Sequence, residues 1–234
     1  MMEEDRCLIQ HRIRPFIERS GEEGEEEEES DFEFLLKSFD SALPYLESIG
    51  SGSQWGRIPF SERPKFVEEM TRFCEASTGS YREGKEKWLL LSEVEVGNSD
   101  PSLAPPSSWL RNGFVGFSLD SHPTYFSRGS ELFKILDQVK EEGGSYFYIH
   151  YLVSDRRREG LNRGVGGRLI REVVGMAGSK GIGRIFCDCW GGNGGGLVRF
   201  YESQGFKSVG EFSVDGKHDP GMVWEGHLLE MRLD

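Results

Sequence analysis

Apolar residues recur along this chain with two spacings, and the switches between them mark out the elements. Residues 10–16 read as a first strand. From Asp31 the spacing becomes helical, with Phe32, Leu35, Leu36 and Phe39 on one side and Asp31 as the expected N-cap. Pro44 is expected to open a further short turn or helix, and Gly50-Ser51-Gly52-Ser53 to form a loop. A second amphipathic helix is expected from near Pro64, with Phe66, Val67, Met70 and Phe73 inward, broken over residues 77–84. Residues 88–96 and 113–119 read as antiparallel strands joined by a Pro- and Ser-rich surface connection at 98–108.

The later half alternates more regularly. Residues 132–139 predict a short helix and 146–154 an apolar strand; over 163–177 Val165, Leu169, Val173 and Ala177 form a helical stripe that must face a core. Residues 184–189 predict a strand. Leu197, Phe200, Tyr201 and Gln204 mark a helix face that Gly205 should end, and 206–212 with 222–233 predict a closing strand pair. The order implies an α+β fold, one domain over residues 1–234, with a parallel strand pair at the centre of its sheet.

Charge changes this picture locally. Residues 20–30 are almost pure glutamate and can bury nothing, so a disordered acidic loop is expected there. A net charge of −12 argues against broad binding to nucleic acid or anionic membrane. No apolar run approaches the roughly 18 residues that span a bilayer, and the first residues lack a secretory signal's pattern, so a soluble, cytoplasmic protein is expected. Cys7, Cys74, Cys187 and Cys189 are too scattered for a disulfide framework and lack metal-ligand spacing, so they are read as reduced thiols with no metal implied. The balance reverses between Tyr151 and Arg171. Arg156, Arg157, Arg158, Arg163, Arg168 and Arg171 face only Asp155 and Glu159 there, which suggests a small anionic ligand.

That basic island surrounds a strand, a glycine-rich turn and a helix start, from Tyr148 through Leu161-Asn162-Arg163-Gly164-Val165-Gly166-Gly167-Arg168. First-turn helix amides have no internal partner and the helix dipole favours negative charge there. Gly164, Gly166 and Gly167 would let a pyrophosphate approach the backbone, and arginine adds charge-assisted contacts. A P-loop is excluded, since no Gly-Lys-Ser or Gly-Lys-Thr opens the helix. A dinucleotide fingerprint fits at Gly164 and Gly166, with Asp188 as its ribose ligand, but Leu169 stands where the third glycine belongs. That alternative stays open beside coenzyme A.

Residues 148–212 resemble the GNAT superfamily of N-acyltransferases. Gly164 and Gly166 fill the glycines of its helix-start signature, while Leu161 occupies its Arg or Gln position and Arg158 or Arg163 could supply the missing charge. The second matching block is Asp188-Cys189-Trp190-Gly191-Gly192-Asn193, then a helix with Tyr201 and a terminal Gly205-Phe206. The resemblance implies a GNAT-like mixed, mainly antiparallel sheet with a splayed central parallel pair, helices on both faces, and a cofactor-binding core at 146–212. It implies that acetyl-CoA is the acyl donor. Leu152 and Val153 would offer backbone groups to the pantetheine arm, Asn162 and Val165 would line the turn with Arg163 to Arg168, and Asn193 would bind pantetheine or cap the next helix.

Tyr201 is the implied donor to the departing thiolate. Full proton transfer from a tyrosine near pKa 10 to a thiol near 8.5 runs uphill by about 2 kcal/mol, so hydrogen-bond donation is the expected contribution. An acceptor amine of pKa about 10 needs a base, because its deprotonation at pH 7 costs about 4 kcal/mol. His150 on the central strand is the candidate, against a core histidine or a carboxylate acting through water. Trp55, Phe60 and Tyr125 are the candidate exposed residues for the acceptor, a small-molecule or peptide primary amine. A catalytically silent CoA-binding module is the alternative from another class.

Overall fold

The computed structural model describes residues 10–18, 29–78, 86–96, 108–124, 132–218 and 221–233. It contains strands β1 (His11–Pro15), β2 (Lys87–Val96), β3 (Ser108–Leu119), β4 (Tyr146–Ser154), β5 (Arg184–Trp190), β6 (Lys207–Asp215) and β7 (Val223–Arg232). Helices are α1 (Asp31–Ser48), α2 (Pro64–Thr78), α3 (Phe133–Glu141), α4 (Val165–Ser179) and α5 (Gly192–Ser203). The strands form one sheet in the order β1-β2-β3-β4-β5-β7-β6, antiparallel except for β4 against β5. This is the α+β sheet with a central parallel pair that the sequence order implied.

Helices cover both faces. On one, Val165, Leu169 and Val173 of α4, with Val198 and Tyr201 of α5, pack on Phe117, Ile149 and Cys187. On the other, Phe34, Leu35 and Phe39 of α1, with Met70 and Phe73 of α2, pack on Leu89, Leu91 and Phe114. Farther along that face α3 sets Leu136 and Val139 on Tyr146, Tyr148 and Phe186. Each such side chain contributes roughly 1.5–3 kcal/mol by leaving water, which outweighs weak local propensity in the glycine-rich segments. Among the described residues, no helix is long and apolar enough to cross a membrane.

Several expectations need correction. Ser30, not Asp31, caps α1: its Oγ accepts from the Glu33 amide at 3.2 Å, and Glu33 accepts from the Ser30 amide at 3.0 Å. Asp31 is the first helical residue, and its carboxylate accepts from Arg14 at 2.6 and 2.7 Å, Arg111 at 2.9 Å and the Ile17 amide at 3.0 Å. Burial pushes its proton affinity up, but hydrogen bonds from Arg14 and Ile17 and the Arg111 guanidinium hold it below the ordinary carboxylate value. Pro44 lies inside α1 rather than opening a new element. One lost hydrogen bond is tolerated there because Leu43 and Leu46 on either side are buried. The acidic run lies outside the described residues except for Glu29 and Ser30, as do residues 98–107 of the expected connection.

Candidate active site

The site begins where β4 and β5 part. Their ladder runs from Tyr146 opposite Arg184 to Ile149 opposite Cys187 and stops, although β4 continues to Ser154 and β5 to Trp190. A bulge supplies the cause. On β3, Gly116 pairs with Tyr151 and the next residue, Phe117, with Ile149, so His150 is an extra residue in β4 and bends it away from β5. Each strand remains paired on its outer edge, β4 with β3 and β5 with β7. The edges that face each other beyond Ile149 and Cys187 are therefore open, and unpaired amides and carbonyls there call for a ligand or water. Leu152 turns to the α4 side and Val153 to the α1 side.

The glycine turn sits at the mouth of this split. Gly164 is left-handed at φ +72°, a conformation that costs glycine little, and turns the chain into α4. Close approach of α4 to the sheet depends on a second glycine: a Cβ on Gly113 would fall 2.5 Å from Val165 Cγ1 and 2.6 Å from the Val153 carbonyl oxygen. The amides of Gly166 and Gly167, in the first turn, have no intrahelical acceptor. Arg168 folds back over the turn, its Nη1 donating to the Arg163 carbonyl at 3.1 Å. Its Nε and Nη2 are buried without a partner among the described residues. Burial, and then Arg171, disfavour its charge. An anion at the turn would satisfy both the free amides and this guanidinium.

Other members of the basic island are engaged elsewhere. Arg156 lies over the Tyr45 ring at 3.8 Å, and Arg157 bonds Glu29 at 2.5 Å and Asp155 at 3.0 Å. Arg158 is exposed and borders a cavity of about 820 Å³ at the start of α1, with Arg12, Arg14 and Arg111. Arg163 is exposed beside Gly164. Asn162 braces the turn, donating to the Asp155 carbonyl at 3.2 Å, and Asn112 donates to the Leu161 carbonyl at 2.8 Å.

Across the split, Tyr201 stands on α5 with only 6% of its surface exposed, between Phe200 and Phe206 and beside Cys187 and Cys189. Its hydroxyl has no hydrogen-bond partner among the described residues. Burial, with Cys187, Cys189 and Asp188 nearby, pushes its proton affinity well above the ordinary tyrosine value. It is a hydroxyl that keeps its proton and can donate it in a hydrogen bond. The helix ends as expected, with left-handed Gly205 (φ +100°) just past the cap. Asn193 is not a cap, since its side chain bonds outside the helix and it opens a left-handed stretch, Asn193 to Gly195, ahead of the regular turns of α5. It is itself left-handed at φ +50° and donates to the Ile49 carbonyl at 2.7 Å and Ser51 Oγ at 2.8 Å, tying α5 to the α1–α2 connection.

His150 shares a 2.7 Å hydrogen bond with Ser118 Oγ, whose own proton goes to the Ser121 carbonyl at 2.7 Å. The imidazole therefore donates through Nε2. Burial pushes its pKa down to about 4, and the ring packs on Phe73 and Tyr148. These contacts are those of a core histidine. Phe60 is buried rather than exposed, packed on Phe39 and Phe66, and Trp55 is half-buried against Phe39 and Phe60. Both form the aromatic lid of the α1–α2 connection, where helix ends converge. Tyr125 lies outside the described residues.

Sequence reading missed a polar group on the α1–α2 side of the split. Asp188 accepts from the Tyr148 hydroxyl at 2.5 Å and from Lys217 Nζ at 3.2 Å. Lys217 lies 3.3 Å over the Trp224 ring, and Trp224 Nε1 donates to the Gln54 carbonyl at 2.9 Å. No local signal marks this group, because its members come from three strands and a hairpin. Asp188 also faces away from the α4 turn, so it cannot serve as the ribose ligand of a dinucleotide held there.

A mixed sheet whose one parallel pair parts at a bulge, with a glycine turn and a helical tyrosine flanking the gap, is the GNAT fold. Solved structures agree. A provisionally named phosphinothricin N-acetyltransferase superposes with a TM-score of 0.54 at 16% identity, covering 96% of this chain and 99% of that one. A provisionally named acetyltransferase from Acinetobacter baylyi gives 0.55 at 13%, covering 97% and 94%. An N-acetyltransferase from Staphylococcus aureus gives 0.54 at 14%, covering 96% and 99%. No family model and no curated protein matches the chain.

Proposed function

We propose that this chain is an acetyl-CoA-dependent N-acetyltransferase acting on a primary amine, carried by a small molecule or a peptide, by direct attack. The observation that carries this reading is the open β4–β5 split, flanked on one side by the α4 turn with Arg168, whose Nε and Nη2 are buried without a partner among the described residues, and on the other by the buried Tyr201 of α5. Acetyl-CoA bound there would supply an acetyl group activated as a thioester. The amides of Gly166 and Gly167 and the Arg168 guanidinium would hold its diphosphate. The open edge of β4 at Leu152 and Val153 would hydrogen-bond its pantetheine arm, and Asn193 would keep the α1–α2 connection close by. Tyr201 would stabilise the departing thiolate by donating a hydrogen bond, since its raised proton affinity opposes full transfer. No covalent enzyme intermediate is required.

Calorimetric titration with acetyl-CoA, with NAD in parallel, tests the reading in wild type and in Arg168→Met. Micromolar acetyl-CoA binding that weakens at least tenfold in the variant supports it. Binding of NAD instead would return the turn to the dinucleotide class, and binding of neither would refute an anion site.

A further inference from the structure

We propose that Asn112 is a positioning residue of the acetyl-CoA site: from a bulge in β3 it ties the two ends of the loop between β4 and α4 together, and so sets the turn that receives the diphosphate. This deepens the acetyltransferase reading and rests on it. The residue type is the first sign. Asparagine is depleted from strands and seldom fully buried, yet Asn112 lies inside β3 with 2% of its surface exposed. The ladder gives the reason. Ser92 of β2 pairs with Gly113 and the next residue, Glu93, with Arg111, so Asn112 is an extra residue with no counterpart on β2. Arg111 bonds Asp31 of α1 and Phe114 packs on that same side, three residues apart, which strict alternation does not allow. The bulge thus releases Asn112 from the alternation and aims it at the loop.

Three bonds close the loop, residues 155–164, into a ring. The Asn112 carbonyl accepts from the Asp155 amide at 3.1 Å, its Nδ2 donates to the Leu161 carbonyl at 2.8 Å, and Asn162 Nδ2 donates back to the Asp155 carbonyl at 3.2 Å. The entry is fixed a second time, because Ser41 Oγ of α1 accepts from the Arg156 amide at 2.9 Å. The exit leads through Gly164 into the first turn of α4, and the Asn112 and Asn162 side chains hold it. Asn112 therefore acts on the ligand through the backbone, by fixing where the amides of Gly166 and Gly167 stand beside the β4–β5 split. Energetics separate this from packing. Asn112 Oδ1 is buried without a partner among the described residues, a cost that removal of the side chain relieves. The carbonyl set free belongs to half-buried Leu161, where water can replace the lost bond. A buried amide that gives the fold so little is explained by the turn it holds.

The test compares wild type with Asn112→Ala and with Asn112→Asp, which keeps the shape but as a carboxylate cannot donate, by calorimetric titration with acetyl-CoA and by thermal melting without ligand. Acetyl-CoA affinity is expected to fall about tenfold in Asn112→Ala and at least as far in Asn112→Asp. The melting temperature of Asn112→Ala should stay within about 4 °C of wild type. S-acetylpantetheine is the same thioester without diphosphate or nucleotide, and by ligand-observed NMR it should bind wild type and Asn112→Ala within about twofold of each other, since it does not use the turn. If Asn112→Ala does not fold, Asn112→Ser, too short to reach Leu161, carries the same comparison. Unchanged acetyl-CoA affinity in both variants would overturn the assignment. So would an equal loss for both thioesters accompanied by a melting shift above about 8 °C, the mark of a packing residue. Failure of wild type to bind acetyl-CoA would instead overturn the acetyltransferase reading.

Discussion

The two faces of the β4–β5 split are built in opposite ways. On the α4–α5 face, five consecutive residues from Gly164 to Arg168 make the turn, and Tyr201 lies four residues before Gly205 on one short helix. On the α1–α2 face, Tyr148, Asp188, Lys217 and Trp224 meet from separate strands and a hairpin, and Trp224 donates to the Gln54 carbonyl in a connection more than eighty residues earlier in the chain. One face is local backbone geometry; the other exists only after the sheet has formed. Substitutions should therefore separate the two, with scaffold effects largest on the second face and ligand effects without loss of stability on the first.

The largest effect is expected at Asp31, which anchors α1 and hence the second face to β1 and β3. Asp31→Ala leaves Arg14 and Arg111 without their shared carboxylate and should cost about 3–5 kcal/mol in urea unfolding. The pH dependence has a definite sign. Because the folded carboxyl lies below its unfolded value, its contribution is complete above the ordinary carboxylate range and is lost as pH falls through the lowered value. Wild type should lose more stability than Asp31→Ala between about pH 5 and pH 2; equal losses would refute the anchor.

Arg168→Met should do the reverse. Removing buried guanidinium nitrogens that lack a protein partner should leave the melting temperature unchanged or raised, while acetyl-CoA affinity falls by about 1.5–3 kcal/mol. A variant that loses stability along with affinity would mean that Arg168 is structural. Tyr201→Phe is expected to behave similarly for turnover. Its hydroxyl has no described partner to lose, so stability should hold while kcat falls by about 2 kcal/mol, or some thirtyfold, at constant acetyl-CoA affinity. Unchanged turnover would remove the tyrosine from the chemistry.

The same contrast explains what could be read beforehand. Gly164 and Gly205 have left-handed backbones, and a helix start or end advertises that need in the residue type itself. The stripe from Val165 to Ala177 follows from helical period and packs as expected. Asp31 misled, because a carboxylate at a helix start serves equally as a cap or as a buried partner for arginines that the sheet brings near. Phe60 and Trp55 were placed outside since turn residues flank them, yet aromatic packing against Phe39 decides their burial. Asn193 looked like a cap for want of any sign that Ile49 and Ser51 would lie beside it.

His150 gives the smallest expected effect and sharpens the comparison most directly. The sequence offered it as the base because an imidazole titrates near neutrality, but in the fold it is the bulge residue that opens the split. Burial lowers its pKa to about 4, so the ring is neutral at pH 7 and above and bound to Ser118. His150→Gln preserves a side-chain donor of similar reach. Its pH–rate profile between about pH 6 and pH 9 should superimpose on that of wild type, because no proton is exchanged at this ring in that range. Stability should differ only in acid: the folded pKa lies below the unfolded 6.5, so wild type loses stability as pH falls from that value towards 4, and the variant is spared this loss. A limb near pH 6.5 that vanishes in His150→Gln would return the base to β4 and make His150 more than a packing residue.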